Sequence, residues 1–380
     1  MSWETVKLSE CCVSIADGDH LPPPKAESGI PFVTISNINA MNQIDFTNTM
    51  FVPQEYYDRL DSKRKAQVGD VLYSVVGSFG IPVYIKENQK FVFQRHIAIL
   101  RSNGKILPRF LYYTMLSRDF YAKADAAAIG AAQRTLSLTA LRNIEIDIPT
   151  IEEQNKIVDI LSAYDDLIEN NKKQIKLMEE AAQRLYKEWF VDLRFPGHEN
   201  TPIVDGVPKG WRKISLGDIA PILTGKKDAN FGTKDGAYPF FTCSQEPIKS
   251  PSYSFDTSAI ILAGNGDFNV KLYRGKFEAY QRTYVLSPIE EKYLYLLYNA
   301  VNESMAVLVK GASGSTIKFL TKGMIENIPL FTPTDELLAQ YNNCSEAVQR
   351  KMECLKMEIK NATEARDRLL PKLMSGELME

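Results

Sequence analysis

No part of this chain is apolar for long enough to cross a bilayer: no uninterrupted hydrophobic run approaches the roughly 20 residues that a membrane helix requires. The opening MSWETVKLSECC is charged and lacks the apolar core that export demands, so a cytoplasmic protein is expected. Cysteine is sparse, five in 380 residues. Cys11 and Cys12 adjoin, Cys243, Cys344 and Cys354 stand apart, and no CxxC spacing occurs; reduced thiols acting as small buried apolar groups are the plain reading. Three scattered histidines (His20, His96, His198) complete no zinc pattern. Asp17, Asp19 and His20 share a polar loop, where a solvated cluster is expected rather than a metal site.

Catalytic signatures are missing too. No GxGxxG opens a helix after a strand, and no GxxxxGK[ST] phosphate loop occurs. The glycines of GSFG (Gly77, Gly80) and GNGDFN (Gly264, Gly266) follow apolar runs and read as turns at strand ends. No serine or cysteine sits in a nucleophile motif, and Asp165, Asp166 and Glu169 read as a solvated flank of a helix. No catalytic residue, metal or cofactor is therefore assigned to the chain. A net charge of −2 argues mildly against a nucleic-acid binder, unless positive charge is gathered on one face.

What the sequence does contain is itself, twice. Shifted by 184 residues, a gap-free frame runs from Gly130/Gly314 to Leu185/Leu369 and includes Arg134/Lys318, Asn143/Asn327, Pro149/Pro333 and Arg184/Arg368. Shifted by 208, a second frame matches Trp3/Trp211, Leu8/Leu216, Pro31/Pro239, Phe32/Phe240, Thr34/Thr242 and Ser36/Ser244. The second copy is thus shorter by about 24 residues in its middle.

Each copy pairs a globular pattern with a long helix. Residues 1–150 show short strand-like runs (Pro31–Ile35, Val71–Val76, Phe91–Leu100) between turns, and a helical stretch from Pro108 to Ala128. In 151–195 the apolar positions Ile157, Leu161, Tyr164, Ile168, Asn171, Ile175, Met178, Ala182, Leu185 and Trp189 alternate in steps of four and three. Thr150 with Glu153 forms a capping box, and Pro196-Gly197 stops the pattern. Residues 196–333 repeat the globular pattern in shorter form. In 334–380 Tyr341, Val348, Met352, Leu355, Ile359, Ala362, Leu369 and Leu373 keep the same phase, diluted by Ser345 and Arg366 and closed by Gly376.

A heptad seam of about 40 residues, roughly 60 Å of helix, needs a partner helix. The obvious partner is the other copy, paired antiparallel, with Asn171 fixing register in the seam; the alternative is that each helix packs on a different protein. The fold class expected is mixed α/β: two globular domains and two long antiparallel helices, an internal pseudo-twofold repeat.

Binding is the remaining task, and the polar loops nominate its residues. In the first domain these are Ser36, Asn37, Ser78, Gln94, Arg95, His96, Gln133, Arg134 and Thr135. In the second they are Lys226, Lys227, Thr242, Ser244, Gln245, Asn265, Lys271, Gln281, Arg282, Ser315 and Lys318. Arg and Lys beside Gln, Asn, Ser and Thr in glycine-rich loops suit phosphates and base edges. Arg59, Lys63, Arg64 and Lys65 form a basic run that a solvated helix face explains equally well.

The segment IPTIEEQNKIVDILSAYDDLIENNKKQIKLMEEAAQRLYKEWF, followed by VDLRFPG, strongly resembles the central conserved region of type I restriction-modification specificity (S) subunits. GDVLYSVVGSFG and GAAQRTLS look like segments of the same family, and the second copy departs from it with TPTDELLAQY in place of IPTIEEQNKI. The resemblance implies two target-recognition domains, each binding half of a bipartite target in double-stranded DNA, with the paired helices spacing the halves. It also implies two methylation (M) subunits docked on the helices and carrying S-adenosylmethionine, with restriction (R) subunits joining them and no membrane partner. An asymmetric, interrupted target is then expected. Exposed flanks of the helices should meet the M subunits through Gln154, Lys156, Tyr186, Lys187 and Phe190 on the first and Arg368, Lys372 and Leu378 on the second; for Phe190 and Leu378, burial against the sister helix is the competing expectation. Two rivals stand beside this reading: a self-contained DNA-modifying enzyme, for which the repeats leave no room, and a coiled-coil protein-interaction scaffold without DNA specificity.

Overall fold

The computed structural model describes residues 3–18, 20, 22–39, 41–131, 133–314 and 316–378. The chain divides into two compact units, one formed by Met1–Glu169 with Ile359–Glu380, the other by Asn170–Glu358. Both boundaries fall inside long helices, so each unit holds one globular domain and a part of each helix.

The strands of the first unit are β1 (Glu4–Lys7), β2 (Cys12–Asp17), β3 (Ile30–Val33), β4 (Met50–Val52), β5 (Val71–Ser74), β6 (Pro82–Tyr84), β7 (Val92–Phe93), β8 (Ile97–Ser102) and β9 (Glu145–Ile148). Strands β1 and β9 pair antiparallel, Val6 opposite Ile146, and close the domain. An antiparallel sheet runs β2-β8-β5-β6, and a smaller one runs β4-β3-β7 with β3 and β7 parallel. The helices are α1 (Gln54–Arg59), α2 (Pro108–Leu116), α3 (Arg118–Ala127), α4 (Leu138–Asn143) and the first long helix, α5 (Ile151–Tyr186).

Two expected elements are broken. The helix over Pro108–Ala128 splits at Ser117, which is extended (ψ 150°) and accepts the Phe120 amide (3.2 Å) on its hydroxyl as the cap of α3. The run Phe91–Leu100 turns at Arg95-His96, where Ile97 N closes on Gln94 O (3.1 Å). Helix α4 had no counterpart in the sequence reading. Of the cysteines, Cys11 is buried and Cys12 and Cys243 are partly so, but Cys344 and Cys354 lie exposed, contrary to the expectation of burial.

The second unit adds a hairpin of β10 (Ile203–Val204) and β11 (Val207–Pro208), then β12 (Arg212–Ser215), β13 (Ile222–Thr224), β14 (Tyr238–Phe241), β15 (Ile248–Ser250), β16 (Phe255–Ala263), β17 (Val270–Ala279), β18 (Thr283–Leu286) and β19 (Pro329–Thr332), with helices α6 (Leu294–Gly311), α7 (Lys322–Glu326) and the second long helix, α8 (Asp335–Met374). Strands β12 and β19 pair as β1 and β9 do. The sheet order β13-β18-β16-β17-β14-β15 matches the first domain strand for strand, with one change. Strand β17 runs antiparallel to β16 and then parallel to β14, so it serves as both β6 and β7 and fuses the two sheets. The shortness of the second copy falls mainly in two connections, the one between β14 and β15, shorter than that between β3 and β4, and the one between β15 and β16, where the first domain carries α1 and the turn Ser62–Arg64.

The heptad seam is buried at its ends and at intervals along it, while Tyr164, Ile175, Met178, Ala182 and Leu185 on α5 and Val348, Ile359 and Leu369 on α8 are only half-buried. Ile157 and Leu161 are fully buried, and Ile168, Asn171 and Trp189 nearly so, whereas Ile160, Leu167 and Leu177 on other faces of α5 are exposed. On α8, Tyr341, Ser345, Met352, Leu355, Ala362 and Leu373 are buried. In the first unit, Leu370 and Leu373 share a core with Ile157 and Leu161, and the Arg366 guanidinium pairs with Asp165 (2.8 Å). In the second unit, the Asn171 amide donates to Glu358 (2.9 Å) and Phe190 stacks edge-on against Tyr341 (4.8 Å). Within each unit the partner's number falls as the position on α5 rises, so the helices run antiparallel.

The polar seam positions have partners. Asp165 accepts from both Arg366 and the Tyr113 hydroxyl (2.7 Å), tying α2 to both long helices. The pair is half-buried, and with the Tyr113 bond it fixes which positions of α2, α5 and α8 meet. The start of α5 is a capping box, Thr150 N donating to Glu153 (3.0 Å) and Glu153 N to the Thr150 hydroxyl (3.4 Å). The two helices differ at one point of the repeat: α5 passes into a π-turn over Lys187–Val191, whereas α8 continues as α-helix through Pro371, which the 184-residue shift aligns with Lys187.

Replacing Leu161 by Ala should lower unfolding free energy by about 2–5 kcal/mol, because the neighbours around a fully buried leucine relax only in part. Leu177→Ala, at an exposed position of the same helix, should change it by no more than about 0.5 kcal/mol. Urea unfolding of both variants checks the assignment of the seam.

Candidate nucleic-acid interface

In the first domain four polar segments meet at one end of the sheets. They follow β3 (residues 34–37), follow β5 (residues 76–79), join β7 to β8 (residues 94–96), and lie between α3 and α4 (residues 130–131 and 133–135). Backbone bonds hold them together: Gln94 N to Val33 O (3.1 Å), Val75 N to His96 O (2.9 Å), and Leu136 N to Val75 O (2.9 Å), with Thr135 bridging Val76 and Ile129.

The second domain repeats this wiring bond for bond. Tyr280 N donates to Phe241 O (2.9 Å), Gly264 N to Arg282 O (2.9 Å) and Leu320 N to Gly264 O (2.8 Å), while Phe319 bridges Asn265 and Ser313. Gly130 and Gly314 take the same left-handed turn (φ 93° and 100°). Gly18 and Gly225 complete the match: each donates to the start of the neighbouring strand, Ile97 O or Thr283 O, and a side chain at either would collide with carbonyl oxygens of Phe93 and Gln94, or of Ala279 and Tyr280. The sequence reading passed over this glycine pair, which lies one residue out of the 208 frame.

The nominated side chains fall into distinct situations. Ser36, Ser78, Arg95 and Gln133 are exposed, and Gln94, His96 and Thr135 are half-buried. Arg134 is held by Asp125 (2.7 Å). Asn37 is a correction: it is buried, and its Oδ1 accepts from the Thr34 amide and hydroxyl (2.9 Å each), so it builds the turn that presents Ser36. In the second domain Lys226, Ser244, Arg282 and Lys318 are exposed. Lys227 lies over the Phe231 ring (4.4 Å), Gln281 donates to Asp228 (2.9 Å), and Gln245 donates to Asp267 (2.7 Å). Asn265 accepts from the Cys243 thiol (2.9 Å), and the Thr242 hydroxyl accepts from Ser244 N (3.3 Å). Lys271 donates to Ser244 O (2.8 Å) and to the Asn269 side chain; burial pushes its ammonium below the usual lysine range, against the opposing pull of Glu246 and Asp267. Ser315 lies outside the described residues, as does Asp19. Asp17 is taken up by His20 (2.7 Å) and Arg64 (3.6 Å).

Exposed cations, amides and hydroxyls on glycine turns, presented twice by one fold, are suited to phosphates and base edges. Residues 1–180 and 208–340 match the family described as the type I restriction modification DNA specificity domain. The chain belongs to this family. Over 183 residues it is 38% identical to the type I restriction enzyme EcoDI specificity subunit of Escherichia coli, an alignment covering 45% of this chain and 39% of that subunit. Over 301 residues it is 27% identical to the MjaIX specificity subunit of Methanocaldococcus jannaschii, covering 72% of this chain and 69% of the relative. The crystal structure of a type I restriction-modification S subunit from M. genitalium shares the fold, with a TM-score of 0.61 at 17% identity over 98% of this chain and 96% of that one.

The helix flanks nominated for partners in such a specificity subunit divide sharply. Lys156, Lys187, Arg368, Lys372 and Leu378 are exposed. Gln154, Tyr186 and Phe190 are corrections. Tyr186 and Phe190 belong to the second domain's core with Tyr341 and Trp211. Gln154 is fully buried, accepting from Leu107 N (2.7 Å) and donating to Pro149 O (3.0 Å) and Lys105 O (3.2 Å). It locks the first domain onto the start of α5. Gln154→Ala leaves those backbone groups without their partner and should destabilise the protein by about 1–3 kcal/mol in urea unfolding. Lys156→Ala, on the exposed flank, should leave the unfolding midpoint unchanged.

Proposed function

We propose that the chain is the DNA sequence-specificity subunit of a type I restriction-modification complex. Residues 1–150 and 196–333 are its target-recognition domains, each binding one half of a bipartite, asymmetric target in double-stranded DNA. Residues 151–195 and 334–380 are helical regions that space the two halves and dock two M subunits on their exposed flanks, with R subunits completing the nuclease. The observation that carries this reading is the duplicated loop wiring at equivalent ends of twin domains, in a chain whose two matched segments contain those loops. The two copies keep the scaffold and change the side chains, Arg134 against Lys318 and Arg95 against Gln281, as two readers of different half-sites would.

The subunit itself is non-catalytic. It contributes recognition, and S-adenosylmethionine with the modifying chemistry belongs to the M subunits. Among the described residues no helix is long and apolar enough to cross a membrane, which agrees with the cytoplasmic location proposed for it. A coiled-coil scaffold without DNA specificity is disfavoured, because the matched family is one of DNA specificity domains.

Anisotropy titrations of labelled DNA, with and without M subunits, test the assignment. Between 50 and 200 mM salt the affinity should fall by about a thousandfold or more, as release of counterions from several phosphates requires. Lys318→Ala should weaken binding across sequences and lower the salt slope by about 1. Binding that is absent, or flat across salt, would leave the scaffold reading standing.

A further inference from the structure

The two domains part company at one place where their backbones coincide. The shared bonds described above align Gly264 with Val75, Arg282 with His96 and Leu320 with Leu136, and hence Tyr284 with Ala98 and Phe319 with Thr135. In the first domain Val75 and Ala98 are both buried in the core. In the second, the branched side chain is gone and a ring has been added. A Cβ at Gly264 would come within 2.5 Å of Arg282 O and 2.9 Å of the Tyr284 ring, so the backbone carbonyl and the ring together leave room there for glycine alone. The Tyr284 hydroxyl is fixed by donating to Leu320 O (2.9 Å).

Beside this exchange lies a cavity of about 280 Å³, lined by Gly264, Gln281, Arg282, Tyr284, Phe319 and Lys322 among others. It is smaller than pockets for drug-sized ligands and has room for a single planar ring system. A methyl group projecting from a stacked base would leave most of it empty. Phe319, 39% exposed, and Tyr284 offer flat apolar faces, on which any base can stack. Arg282, exposed among the lining residues, supplies a cation for a phosphate flanking an inserted base. Lys322 is paired with Glu326 (3.3 Å), and the Gln281 amide nitrogen is held by Asp228 (2.9 Å), which leaves the Gln281 carbonyl oxygen to accept from a base edge. The lining residues Gln281 and Arg282 also belong to the loops nominated for DNA.

We infer that this cavity receives one nucleobase swung out of the stack of the DNA held by the second domain. The inference rests on the DNA-reading function proposed above and adds a mode of recognition at one position of one half-site. Extruding a base costs its pairing and stacking, and that cost is smallest where the base is already mismatched.

The test uses the chain with its M subunits and duplexes of the mapped target, with single mismatches placed along both half-sites. At one position of the second half-site, a mismatch should tighten binding about tenfold, and Phe319→Ala, at a partly exposed side chain, should abolish the gain. Mismatches in the first half-site should show no gain that depends on Phe319. The inference is overturned if every mismatch weakens binding, or if the gain survives Phe319→Ala, which would assign it to the M subunits. A matched duplex that binds no tighter than random DNA would instead overturn the DNA-reading function, and this inference with it.

Discussion

Each long helix carries an apolar stripe that it cannot bury alone, and the burial of those two stripes against each other underlies the rest of the architecture. An isolated helix gains little from propensity; its stability comes from packing one face. In α5 and α8 that face recurs every three or four residues, and in both units the two helices meet along it antiparallel. The globular domains then attach to the pair through specific polar locks. Asp165 joins Tyr113 of α2 to Arg366 of α8, and Gln154 binds the backbone at Lys105 and Leu107. In the second unit, Asn299 donates to the Tyr341 hydroxyl (2.8 Å) and Gln183 to Glu303 (2.6 Å). Since both long helices take part in both units, the same seam supports both readers.

On that support, one domain topology is used twice with different loops. What is shared between the copies is backbone: the same strand neighbours in the same order, a closing strand pair, and the same main-chain bonds beneath the loops. What differs is side-chain chemistry at the loop surface and the volume beneath it. Val75 and Ala98 fill the first domain where Gly264 and Tyr284 reshape the second. A scaffold held by main-chain hydrogen bonds tolerates such exchange, because bases are read by side chains while the backbone pattern is indifferent to them.

Much of this was legible from the amino-acid order because its signals are periodic or repeated. The heptad phase marks α5 and α8, and the shift of 184 residues pairs Gly130 with Gly314, whose turns are alike. The limits came from features that hydrophobic pattern does not encode. Ser117 breaks a run of helical character because its hydroxyl caps the next helix, a local competition invisible to periodicity. Gln154, Tyr186 and Phe190 looked like flank residues because polar and aromatic side chains on a helix are ordinarily solvent-facing or ambiguous; the globular domains cover them here. Asn37 read as a base contact, yet its amide is spent on its own turn. Gly264 reads as a plain turn glycine from sequence, because its equivalence to Val75 is set by main-chain bonds that residue spacing does not encode.

Single-molecule methylation mapping of the host genome tests the central claim most directly. The account predicts that one interrupted motif, with two unlike halves, is methylated in cells carrying this chain and its M subunits and loses methylation when the chain is deleted. An uninterrupted palindrome, or a methylation pattern indifferent to the deletion, would contradict it.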